Sequence, residues 1–146
     1  MADRTMSSIV IAADSATVMS VIADFDRYPQ WATGVTSAVV SSTHPDGRAR
    51  EVDFVLDAAP IKDEYTLVYE WNDDVEVTWT LARAKMLTSM EGAYRLRSRQ
   101  GATEVTYQLS VSLSIPMIGM LKRKAERVVI DTALKGLKQR VESLSR

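Results

Sequence analysis

The sequence predicts an α+β fold: a curved antiparallel sheet of about seven strands wraps around one long C-terminal helix, with two short helices between strands 1 and 2. Three features point there. Between Pro116 and Arg146 the charged residues Lys124, Arg127, Asp131, Lys135, Lys138 and Glu142 recur at three- and four-residue intervals, which is one stripe of a helix. Ile118, Leu121, Ala125, Val128, Val129, Ala133, Leu137, Val141 and Leu144 occupy the rest of the circumference, so this helix needs a large apolar surface to lie on. From Gly34 to Leu113 the apolar period is two, broken by short turn-forming stretches, as in an antiparallel meander with one dry face.

Each element follows in order. Met6–Ala12 is short, β-branched and apolar, a first strand. Asp14 or Ser15 is an N-cap for a helix burying Val18, Met19, Val21 and Ile22. Asp24-Phe25-Asp26 breaks it, and Arg27–Trp31 forms a second short helix with Pro29 in its first turn. Val35–Ser42 is a strand, and Thr43–Gly47 a turn in which Gly47 takes positive φ. In Arg48–Asp57, Arg50, Val52, Phe54 and Leu56 share the inner face, with Glu51, Asp53 and Asp57 opposite. Tyr65, Leu67, Tyr69 and Trp71 form the next inner row, then Val75, Val77, Trp79 and Leu81 after an Asn72-Asp73-Asp74 turn. Met90, Gly92, Tyr94 and Leu96 follow. Gln100-Gly101 marks a hairpin, and Val105, Tyr107, Leu109, Val111 and Leu113 close the sheet.

Composition bounds the role. A chain of 146 residues is expected to form one domain, residues 1–146, burying roughly two-thirds of its unfolded surface. The net charge of −1 offers no field for nucleic acid. Without cysteine there are no disulfides and no thiolate chemistry. MADRTMSS lacks the apolar core of a signal peptide, and no apolar run reaches the ~18 residues of a membrane span. The expectation is a cytoplasmic protein, monomeric or homodimeric, with no integral membrane segment and no cofactor.

The element order, together with Ala12-Ala13-Asp14-Ser15 and Asp24 to Trp31, resembles the START-like (SRPBCC) superfamily, in its polyketide cyclase/dehydrase and coenzyme-Q-binding branch; Ile61-Lys62-Asp63 before an aromatic strand is similar to that branch too. The resemblance implies the helix-grip fold of Bet v 1-like proteins and an apolar ligand pocket between sheet and helix. On that basis Trp31, Phe54, Tyr65, Tyr69, Trp79, Tyr94, Met117, Met120 and Thr132 are the expected ligand-binding residues, and a hydrophobic small molecule the expected partner. The same aromatic rows serve equally as plain core. Ala125, Thr132, Ala133 and Gly136 either leave room for a ligand or let the helix approach the sheet closely. Met117–Met120, with Pro60 and Ile61, border the mouth in the resembling fold.

The functions this leaves open are binding or transport of a lipid, isoprenoid, quinone-like or polyketide-like molecule; a polyketide aromatase/cyclase using Tyr65, Tyr69, Tyr94 and Arg50; or an interaction module with a vestigial cavity. Catalytic machinery is sparse. His44, the single histidine, falls in a turn and is expected in solvent, which disfavours a triad or a histidine metal site. Glu51 and Asp53 share the wet phase, as do Arg95 and Arg97. Lys122, Arg123, Lys124 and Arg127 form a basic cluster of a kind that attracts an anionic membrane surface, but with Glu126 and Asp131 beside it the expectation is an ordinary solvated helix face.

Overall fold

A computed structural model describes residues 5–58, 61–113 and 119–144. The elements are β1 (Thr5–Ile11), α1 (Ser15–Ala23), a 3-10 turn (Phe25–Arg27), α2 (Tyr28–Trp31), β2 (Val35–Thr43), β3 (Ala49–Ala58), β4 (Ile61–Asn72), β5 (Glu76–Ala84), β6 (Leu87–Arg99), β7 (Ala102–Leu113) and α3 (Gly119–Leu144). All seven strands form one antiparallel sheet in the order β1-β7-β6-β5-β4-β3-β2. The meander of β2 to β7 is therefore completed by β1, which returns to the far edge beside β7. This is the expected helix-grip arrangement.

Local chemistry sets the connections. The Asp14 carboxylate accepts the Thr17 N–H at 2.8 Å and caps α1. Gln100 and Gly101 both take positive φ, 39° and 83°, the twist that suits a two-residue hairpin between right-twisted strands. Val75 departs from the expected inner row and is exposed. It lies in the turn before β5, where its N–H bonds to the Asn72 carbonyl and Asp73 has a φ of 46°.

The β2–β3 pairing is interrupted by register shifts, one of them where Ser42 faces Glu51 but Thr43 faces Ala49. Arg50 is the extra residue. A bulge adds one residue to the count and so reverses the alternation beyond it. Ala49 and Val52 are buried while Arg50 points outward, not into the inner row.

Asp63 at the start of β4 is buried, and its carboxylate accepts the backbone N–H groups of Glu64, Lys85, Met86 and Leu87 at 2.7 to 3.1 Å. It thereby fixes the β5–β6 turn against β4. Burial alone would raise its pKa, but the four N–H donors outweigh that and hold the carboxyl below its ordinary value.

α3 is rotated from the expected orientation. Its buried row is Glu126, Ile130, Leu134, Leu137 and Val141, while Val128 and Leu144 are exposed at 60% and 56%. The reason is Glu126, expected in solvent but 0% exposed. β7 continues past the end of β1, whose pairing begins at Thr5 with Leu109. Glu126 accepts the Val111 N–H at 2.7 Å, the Thr5 hydroxyl at 2.7 Å and the Lys122 ammonium. A side chain of α3 thus serves as acceptor for a backbone donor of β7. Further along, Lys138 donates to the Val10 carbonyl at 2.8 Å and Glu142 accepts the Ala12 N–H at 3.0 Å, capping backbone groups at and just beyond the end of β1.

Two stability effects follow. Glu126→Ala leaves the Val111 N–H without its acceptor and the Thr5 hydroxyl without its carboxylate; a loss of about 3 kcal/mol is expected in urea denaturation. Because the Asp63 pKa is depressed in the fold, its contribution is present above the unfolded carboxyl value of about 4 and disappears as pH falls through the lower folded value. Asp63→Asn is therefore expected to be destabilising at about pH 7 and much less so near pH 2, which paired denaturation curves read directly.

Candidate functional site

The concave face of the sheet carries a continuous aromatic system. Trp31 packs on Tyr28 (ring centroids 4.9 Å), Tyr28 on Phe25 (4.8 Å) and Phe25 on Tyr69 (4.9 Å). Tyr69 continues to Trp79 (5.7 Å), and Trp79 to Tyr94 (5.4 Å) and Tyr107 (5.6 Å). Phe54 stacks on Tyr65 at 5.3 Å. Cross-strand pairing builds this array: Phe54 faces Tyr65, Tyr69 faces Trp79, and Tyr94 faces Tyr107. Trp79 lies flat because its partner is Gly92, where any Cβ would come within 2.3 Å of the indole.

All five tyrosines of the chain belong to this face, each at most 7% exposed. Tyr28 donates its hydroxyl to the Ile22 carbonyl. Among the described residues the hydroxyls of Tyr65, Tyr69, Tyr94 and Tyr107 have no hydrogen-bond partner, yet the solvent-excluded polar atoms without a partner are Trp31 Nε1 and Ser42 Oγ. Burial pushes all five phenols above their ordinary pKa, and the phenols of neighbouring tyrosines add to the shift at Tyr28, Tyr65, Tyr69 and Tyr94.

α3 lies opposite, but not evenly. Its backbone approaches β1, β7, α1 and α2 most closely, and its buried side chains join one apolar cluster with those of the sheet. Ala125, Val129, Thr132 and Gly136 share one half-buried stripe of the helix. Gly136 permits contact: a Cβ there would sit 2.6 Å from the Trp31 carbonyl oxygen, so close approach and not room for a ligand explains the glycine. Two depressions bounded by described residues, about 160 Å³ beside Gly92 and Arg95 and about 360 Å³ beside Val55 and Met86, lie on the outward face.

Of the residues singled out from sequence, Trp31, Phe54, Tyr65, Tyr69, Trp79 and Tyr94 are buried in one cluster and Thr132 is half-buried on α3. Met117, Ile118 and Pro60 lie outside the described residues, as do the side chains of Ile61 and Met120. The sequence places Tyr107 in the inner row without singling it out as a binding residue, and it misses Tyr28 as a member of the cluster. Tyr107 was legible, being in phase with Val105 and Leu109; Tyr28 was not, because a four-residue helix has no readable face. His44 is not in solvent. Its Nε2 donates to the Tyr69 carbonyl at 2.7 Å at the rim of the sheet, remote in role from the phenols. Asp53 and Arg83 sit on the convex face, as do Arg95 and Arg97. No group of three or more His, Cys, Asp or Glu among the described residues is placed to hold a metal ion.

The family model described as polyketide cyclase/dehydrase and lipid transport matches residues 11–138. The chain belongs to that family. A START superfamily protein from Mycobacterium smegmatis has the same fold, with a TM-score of 0.91 at 20% identity over 97% of this chain and 98% of that one. An aromatase/cyclase from Streptomyces sp. R1128 gives a TM-score of 0.77 at 13% identity over 99% and 96%. A Thermus thermophilus protein gives 0.82 at 21% over 99% and 100%. No curated protein sequence matches the chain.

The buried phenols of this family member carry a spectroscopic consequence. A phenol whose folded pKa is raised contributes stability below the unfolded value of about 10 and loses it as pH rises further. Phenolate absorbance is expected to appear only together with unfolding, in one cooperative step above about pH 10. A separate tyrosine titration in the folded protein would contradict the burial described.

Proposed function

We propose that this protein binds a hydrophobic small molecule bearing oxygen groups, in space between the sheet and α3. The observation that carries this reading is the set of four buried tyrosine hydroxyls, Tyr65, Tyr69, Tyr94 and Tyr107, that find no partner among the described residues and are not sealed from solvent. A guest that displaces water from these hydroxyls must offer them acceptors or donors, since a hydroxyl left unpaired out of water costs free energy. A quinone-, isoprenoid- or polyketide-like guest offers aromatic or aliphatic surface to the rings and carbonyl or hydroxyl oxygens to the phenols. The Trp31 indole N–H is a further donor awaiting an acceptor. The family description, which names both polyketide cyclases and lipid transport, supports a hydrophobic cargo. The cysteine-free composition supports a reducing, cytoplasmic setting.

Binding is favoured over catalysis because the phenols are held neutral. Groups whose pKa lies well above 10 donate hydrogen bonds at neutral pH but do not abstract protons. The ionisable groups that could assist them are committed elsewhere: Arg50 is turned outward, Asp63 is saturated by backbone and Glu126 by Thr5, Val111 and Lys122. A second reading, aromatase/cyclase, rests on the same clustering, since several donors aimed at one carbonyl also stabilise an enolate.

Native mass spectrometry of protein from its own host is expected to show a co-purifying organic molecule containing oxygen. Tyr65→Phe and Tyr94→Phe are each expected to weaken its binding about three- to tenfold. Unchanged affinity in both variants, or a pure hydrocarbon guest, contradicts the proposal. Loss of a turnover reaction by orders of magnitude instead assigns the site to the enzyme reading.

A further inference from the structure

We infer that the outer side of α3 is a docking surface for an anionic lipid bilayer. α3 carries seven cationic residues and three acidic ones, in a chain whose net charge is −1. The helix therefore carries a surplus of four positive charges, and the structure turns two of its three acids inward together with the cations they pair, Lys122 and Lys138. Glu126 is fully buried and directed at Thr5, Val111 and Lys122, and Glu142 is turned to the Ala12 N–H and Lys138. What remains outward is a line of exposed Lys124, Arg127 and Lys135 around Val128, with the half-buried Asp131 as its single carboxylate.

The partner is identified by its chemistry. Cations ringing an exposed aliphatic side chain match a surface of anionic headgroups over an acyl boundary. A nucleic acid fits less well, because there is no aromatic on this line to stack a base. A bilayer is planar and meets one helix face only. Docking of this kind does not depend on the identity of any bound guest.

The test is sedimentation of the full chain with vesicles of phosphatidylcholine alone or with about 30% phosphatidylglycerol, at about 50 mM salt. Binding is expected to the anionic vesicles only, and is expected to vanish at about 500 mM salt, where screening shortens to a few ångströms. K124Q/R127Q is expected to weaken the partition roughly 25-fold, about fivefold per cation removed. K62Q/R83Q, which removes the same charge from the convex face, is expected to leave it unchanged. Equal binding to both vesicles, no binding to either, or equal weakening by the two double variants overturns the inference. Capture of a DNA oligonucleotide without vesicle binding overturns it in favour of a nucleic-acid surface.

Discussion

The carboxylate of Glu126 is the constraint on which the remaining geometry depends. It is a fully buried carboxyl group beside Val111, two residues past the Thr5–Leu109 pair of β1 and β7. Such a group is tolerable only with several donors, and its donors lie on three different elements: Thr5 of β1, Val111 of β7 and Lys122 of α3 itself. This fixes both the rotation and the lateral position of the helix. Ile130, Leu134, Leu137 and Val141 then face inward, Val128 faces out, and Gly136 meets the backbone of Trp31. The helix backbone lies closest to β1, β7, α1 and α2, and Ile130, Leu134, Leu137 and Val141 share one core cluster with the aromatic rows.

The sheet was readable from the sequence because period two survives wherever pairing is regular. Tyr65, Leu67 and Tyr69, or Val105, Tyr107 and Leu109, could be assigned to a face by counting alone, and the short turns fixed the order of the strands. Counting failed where one residue was inserted or one charge was buried. Arg50 lies at a bulge, which no propensity announces, so its expected inward direction was reversed. Glu126 broke the rule that carboxylates face water, and the helix orientation followed the exception. His44 was misplaced for a related reason: turns are wet on average, but this one folds its ring onto the Tyr69 carbonyl. The aromatic part of the site was legible through strand phase. The contribution of Tyr28 depended on tertiary contact with Phe25 and Trp31 and carried no sequence signal.

The chemistry of the concave face is defined as much by its neutrality as by its aromatic surface. Phenols gathered this closely suppress one another's ionisation, and burial does the same to each. The result is a cluster of polar groups without charge on an otherwise apolar face. Several buried or half-buried charged groups are used to fix backbone or helix. Asp63 holds a turn, Glu126 holds a helix, and Lys138 with Glu142 closes the end of β1.

The pairing of β1 with β7 also bears on how the chain comes into being. Thr5 finds its partner at Leu109, and the helix that covers both comes later still. During synthesis the first strand therefore waits, with neither backbone edge satisfied, until most of the polypeptide has left the ribosome. Contacts of such sequence separation are slow to form and leave strand edges open to wrong partners meanwhile. In β1 the polar Ser7 and Ser8 interrupt the apolar run, a composition suited to a segment that must remain unpaired in water before its mate exists.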